Sequence, residues 1–137
     1  MSIRHAHATV IGAALLAACA GGGMYDQPYA LIQPDQRSVP QDTRPAFVLA
    51  VDGRSRAISD NNPIAPGTRK IQVSVPGARG MSQSVVSEVE IDVKPCIRYY
   101  LSARHSSPAS DDWSPFVSYT EPIGECQKKF GSSASAK

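Results

Sequence analysis

The chain has 137 residues, with 14 Lys and Arg against 12 Asp and Glu, which is room for one domain and too little for a multidomain enzyme. Hydrophobic residues make up 42% and charged residues 19%, with 11 Pro and 10 Gly, a composition that builds a core among many turns rather than a disordered chain. The formal net charge of +2, one less once a leader carrying Arg4 is removed, excludes the electrostatic footprint of a nucleic-acid binder.

Met1 to His7 hold Arg4 as their only charge, and Ala8 to Ala18 (ATVIGAALLAA) run on as small and apolar residues. These are the n-region and h-region of a signal peptide over residues 1–18. As a helix the apolar run is about 16 Å long against about 30 Å for a bilayer core, so it is a leader rather than a spanning anchor. Leu16-Ala17-Ala18-Cys19 resembles the lipobox of bacterial lipoproteins. The resemblance implies a diacylglycerol thioether on Cys19, cleavage before it and acylation of the new amino terminus. Two or three acyl chains, at about 0.8 kcal/mol per buried CH₂, hold a protein on a membrane where one chain is marginal. Ala20 follows, where Asp marks retention in the inner membrane, so the resemblance implies a lipid anchor in the outer membrane with the protein facing the periplasm. The alternative is a secretory leader cut after an Ala-x-Ala-like site, with Cys19 incidental.

Residues 19–45 are rich in Gly and Pro (Gly21 to Gly23, Pro28, Pro34, Pro40, Pro45) and read as a flexible tether. Extended at about 3.3 Å per residue, it would reach about 80 Å from the membrane. Tyr29-Ala30-Leu31-Ile32 is its one apolar cluster, which either docks as an edge strand or stays in a mobile linker. From Ala46 the period becomes two. Phe47, Leu49 and Val51 share a face, and Asp52-Gly53 follows as a hairpin turn. Asn61-Asn62-Pro63 is a break, and Ala65-Pro66-Gly67-Thr68 fits a type II turn. Ile71, Val73 and Val75 then alternate with polar residues up to Pro76-Gly77. Val89, Ile91 and Val93 alternate with Glu88, Glu90 and Asp92, whose acidic side faces water. Ile97 to Ala103 and Phe116 to Thr120 are further strands, and no segment sustains a 3.6-residue period. The fold class is all-β, a small Ig-like or prealbumin-like sandwich over residues 46–130 after the tether, ending in a disordered tail over 131–137.

Val51-Asp52-Gly53, Pro63-Ile64 and Pro66-Gly67-Thr68-Arg69-Lys70-Ile71-Gln72-Val73 resemble the PEGA module, with Arg69 at the position of that family's histidine. The resemblance implies a small, non-catalytic, extracytoplasmic β-domain. The same turn chemistry serves any Ig-like or prealbumin-like hairpin.

With Cys19 lipidated, Cys96 and Cys126 are an even pair in an exported chain, and a disulfide is the economical reading. Neither cysteine lies in a Cys-x-x-Cys spacing and the mature chain keeps one histidine, His105, which argues against a metal site. His105, Ser106, Ser107, Asp111 and Asp112 contain the residue types of a triad, but their crowding into one polar, Pro-containing loop is that of a solvated loop. The acids of the 88–92 strand read as a solvated face rather than paired catalytic carboxylates. No phosphate-binding, dinucleotide or calcium-loop pattern occurs, so no cofactor is expected.

On a strand, Arg98, Tyr100, Ser102 and Arg104 point one way and Ile97, Tyr99, Leu101 and Ala103 the other. One tyrosine is therefore core and one surface. Arg98, Tyr100, Arg104 and Trp113 make the candidate partner surface, since exposed Tyr, Trp and Arg are what interface hot spots favour. The alternative is that Tyr100 merely covers Arg98 or packs beneath Trp113. The functional expectation is a non-enzymatic, outer-membrane-anchored lipoprotein that binds or supports an envelope protein or cell-wall component. The rival is a cell-wall-directed enzyme or enzyme regulator.

Overall fold

The computed structural model describes residues 23–37, 40, 42–55, 63–76, 84–105, 107 and 112–131. The leader, Cys19, Asn61-Asn62, Gly77, Ser106, Asp111 and the tail beyond Gly131 lie outside the described residues. In chain order come a 3-10 turn (Met24–Asp26), β1 (Leu31–Pro34), β2 (Thr43–Pro45), β3 (Phe47–Val51), β4 (Arg54–Ser55), β5 (Gly67–Val75), β6 (Val85–Val93), β7 (Ile97–His105), β8 (Trp113–Pro122) and a short helix, α1 (Gly124–Phe130). The fold is all-β in two sheets. One has the order β4-β3-β5-β6, and in the other β7 is paired by β8 on one edge and by β1 and β2 on the other.

The β4-β3-β5-β6 sheet follows the sequence pattern closely. Asp52 (φ 50°) and Gly53 (φ 74°) both adopt the left-handed region, the requirement of the tight turn that joins β3 to β4. Gly67 (φ 112°) supplies the positive φ of the turn begun by Pro66. Ile71, Val73 and Val75 then point inward from β5, and Ile91 and Val93 from β6, while Glu88, Glu90 and Asp92 are exposed. The departure is in β3. Its pairing slips between Val48 and Ala50, so Leu49 is an extra residue and the alternation changes phase. Val48 and Val51 pack on the core and Phe47 and Leu49 are exposed, where Phe47, Leu49 and Val51 were expected to share a face.

The sheet built on β7 departs further. The Tyr29–Ile32 cluster docks: β1 runs parallel to β7, pairing Leu31 with Arg98 through Pro34 with Leu101. Beyond it β2 pairs antiparallel with the upper part of β7, Thr43 opposite Arg104 through Pro45 opposite Ser102. The folded unit thus takes in residues 23–37 and 43–45, where a tether reaching to Pro45 was expected. The physical reason is burial. Ala30 and Ile32 enter the main core with Tyr99, Leu101, Ala103 and Trp113. Tyr29 and Leu31 enter a second cluster with Cys96, Ile123 and Cys126, and burial of such side chains contributes roughly 1.5–3 kcal/mol each.

Cys96 and Cys126 form a disulfide with 5.2 Å between their Cα atoms. It joins the β6–β7 turn to α1, under Tyr29. Cys96 itself has φ 58°, a conformation that costs a non-glycine residue roughly 1 kcal/mol. It is held by its amide donating to Tyr29 O (2.7 Å) and its carbonyl accepting from Ile123 N (2.8 Å). The helix has seven residues, too few to print a 3.6-residue period on the sequence. Lys129 Nζ of this helix donates to Tyr25 O at 2.7 Å and pairs with Asp26 at 3.2 Å, which fastens the 3-10 turn to α1.

Closing a loop of 30 residues stabilises by about 3–4 kcal/mol in the chain-entropy model. Replacing both cysteines by serine is expected to lower the unfolding free energy by about that amount; urea titration of the two proteins checks it.

Candidate functional site

Strand parity divides β7 as expected. Tyr99 is buried among the core side chains and its hydroxyl accepts from Lys94 N at 2.7 Å. Tyr100 is half-buried on the outer face of the sheet. Trp113 is placed differently from expectation. It pairs with His105, whose position shares the inward parity of Tyr99, Leu101 and Ala103, so the indole lies between the sheets at 5% exposure. It is core, edge-on to the His105 ring with centroids 4.7 Å apart, and not part of a partner surface.

The outer face acquires its shape where β1 ends. There the chain turns out of the sheet and lays Asp35 and Arg37 across β7 and β8. Asp35 is 2% exposed. Its Oδ1 accepts from Arg37 Nε (2.8 Å) and Arg37 N (3.1 Å), and its Oδ2 from Arg37 Nη2 (2.7 Å) and from Ser118 Oγ (2.6 Å). Ser118 is the residue skipped where the β7–β8 pairing shifts, between Tyr100–Tyr119 and Leu101–Val117. The bulge turns its hydroxyl to the outer face, where it meets a carboxylate contributed from the far side of β7.

Arg37 is thereby held flat. Its guanidinium carbon lies 4.2 Å from the Tyr119 ring centroid and 5.5 Å from that of Tyr100, and the two rings are 5.5 Å apart. A second acid completes the surface: Glu121 Oε1 accepts from Arg98 Nη1 at 2.6 Å and from the Tyr100 hydroxyl at 2.7 Å. Tyr119 is 44% exposed. Beside it Gln33, Pro34, Gln36, Arg37 and Tyr100 border an open depression of about 400 Å³.

The electrostatics follow from these bonds. The Arg37 guanidinium, aided by the Ser118 hydroxyl and the Arg37 amide, holds the Asp35 carboxyl far below the usual carboxylate range against the opposing effect of burial. The Tyr100 hydroxyl and then Arg98 lower that of Glu121. Both acids are therefore fixed in the ionised form, unlike a general acid or base poised near the working pH. What the surface offers is planar cation, phenol and amide groups, the chemistry of recognition.

Among the expected residues, Arg98 and Tyr100 are brought together through Glu121. Arg104 lies on the same face but farther along β7, pairing with Asp42 at 3.3 Å and covering Phe116 at 5.3 Å. His105 Nδ1 is 2.6 Å from the Ser107 carbonyl. Asp35, Arg37, Ser118, Tyr119 and Glu121 escaped the sequence reading. Only the Asp-x-Arg spacing of residues 35–37 hinted at a local pair. No family model, curated protein or solved structure matches the chain.

Asp35→Asn keeps the shape but removes the charge, and is expected to cost about 2 kcal/mol at pH 7, the scale of a charged hydrogen-bonded group. Because the folded pKa is depressed, this stabilisation is complete above the unfolded value of about 4 and fades as pH falls below it. Denaturant titrations at neutral pH and near pH 3 check the sign: the gap between wild type and variant should narrow in acid.

Proposed function

We propose that this chain is a lipoprotein of the outer membrane, anchored through acyl chains on Cys19, whose β-sandwich is a non-enzymatic binding module for another envelope component. The observation that carries the binding role is the buried Asp35 carboxylate, which positions an exposed arginine over Tyr119 and Tyr100. Burying a charge costs several kcal/mol before its bonds are counted, and an apolar group of similar size often serves stability as well. Here the charge organises a surface. A guanidinium fixed on an aromatic ring loses little conformational freedom when a partner docks, which favours affinity.

The lipobox-like Leu16 to Cys19 and the leader before it support the anchor. The disulfide agrees with an oxidising compartment. The turns at Asp52-Gly53 and Pro66-Gly67 support a PEGA-like surface module. In this family-like stretch Arg69 donates to Ala65 O (2.9 Å), Pro66 O (2.8 Å) and Asp52 Oδ2 (3.0 Å), so the residue at the family's histidine position has a structural task.

Two measurements test the proposal. Cells fed a labelled fatty acid should incorporate it into the wild-type protein in the membrane fraction, while Cys19→Ala should be unlabelled and soluble; unchanged membrane association overturns the anchor. A photo-crosslinking side chain at Tyr119 should capture one discrete envelope protein or wall fragment in intact cells, and Arg37→Ala should reduce that adduct at least tenfold, the loss of a hot-spot contact worth about 1.4 kcal/mol or more. An adduct indifferent to Arg37 overturns the surface. His105→Ala is expected to leave function intact; a loss equal to deletion would favour the enzymatic rival.

A further inference from the structure

The folded unit starts close to the acylated cysteine. Gly23 opens the 3-10 turn, with its amide donating to Asp26 Oδ2 at 2.7 Å, and Lys129 ties that turn to α1 through Tyr25 O and Asp26. The four peptide steps from Cys19 to Gly23 span at most about 14 Å. Glycerol-linked acyl chains begin at the base of the headgroup layer, which is about 6 Å thick in each leaflet. Roughly 8 Å then remains above the headgroups, less than the 10–12 Å diameter of one helix with its side chains.

We propose that the end of the sandwich formed by the 3-10 turn, α1 and the β6–β7 turn rides directly on the headgroup layer of the membrane that holds Cys19, with Tyr25 and Lys128 entering the interface. This rests on the lipoprotein reading of Cys19. Tyr25 is 48% exposed and stands edge-on to Tyr29, with ring centroids 4.9 Å apart, and an amphipathic ring at such a place suits the headgroup level. Lys128 is exposed on α1. The charges at this end balance, with Lys94, Lys128 and Lys129 against Asp26, Asp92 and Glu125, and two of these pairs are joined directly. Docking therefore does not depend on anionic lipid. The short leash supplies it, because a surface held within a few ångströms is at very high effective concentration and needs little intrinsic affinity.

The test uses the mature acylated protein in nanodiscs of zwitterionic lipid that contain a headgroup-linked gadolinium chelate. Its acylation is first read from its mass, and backbone amide signals are then compared with chelate-free discs. Amides of Tyr25, Asp26 and Gly124–Phe130 should lose most of their intensity, while those of His105 and Trp113, at the other end of the long strands, keep theirs. Adding salt or anionic lipid should not change the pattern. A long Gly-Ser spacer inserted between Gly22 and Gly23 should restore the α1 signals toward the Trp113 level. Equal broadening at both ends, or broadening unaffected by the spacer, overturns the docking alone. A mature chain without acyl mass on Cys19 overturns the lipoprotein reading and the docking with it.

Discussion

The carbonyl of Leu101 accepts two hydrogen bonds from the same edge of β7, from Asp35 N at 2.9 Å and Ala46 N at 3.1 Å. It marks the place where the chain leaves the sheet after β1 and re-enters it beside β2. Two short strands of opposite direction thus share one edge of the central strand. Neither would be stable alone, since four and three residues are below what an isolated pairing supports. Joined end to end on β7 they seal its edge and bury Ala30, Ile32 and Ala46. The excursion between them carries Asp35 and Arg37 over the outer face. The position of the Arg37–Tyr119 surface follows from this one docking.

Asp35 shows how a polar group is tolerated at 2% exposure. Each carboxylate oxygen receives two donors, so desolvation is offset by charge-assisted bonds rather than left uncompensated. The donors come from its own turn and from the β8 bulge across β7. The carboxylate therefore couples the turn after β1 to β8, and a change at either is transmitted to the guanidinium that lies on Tyr119.

The Arg37–Tyr119 surface and the α1 end sit in a fixed relation along β7. Tyr100 is three positions from Ile97 and His105 is eight, or about 10 Å and 26 Å at strand rise. A domain resting on its α1 end would present Arg37 and Tyr119 sideways, close above the headgroups, and would carry Arg104 and Asp42 at its far end.

Local periodicity made much of the fold legible. The alternation in β5, β6 and β7, the turn chemistry of Asp52-Gly53 and Pro66-Gly67 and the inward and outward roles of Tyr99 and Tyr100 follow from side chains within a few residues of one another, while the bridge between Cys96 and Cys126, 30 positions apart, follows from the cysteine count. The rest depended on pairing at long range. A Gly- and Pro-rich composition does not reveal that Tyr29–Ile32 lies beside residues nearly seventy positions later. The bulge at Leu49 exchanges which residues of β3 face the core, and α1 is too short to show a period. Trp113 is buried because it stands opposite His105, which its own neighbours do not disclose. Asp35 finds Ser118 only after β1 has docked on β7 and β8 has bulged. The sequence by itself determined the longer strands and the turns, because those are set by contacts close along the chain, and the bridge, because two cysteines remain to pair once Cys19 is set aside. Which residues of β3 share a face, which charge is buried and where the Arg37–Tyr119 surface lies were decided by tertiary structure, because they depend on register between strands that the chain brings together only on folding.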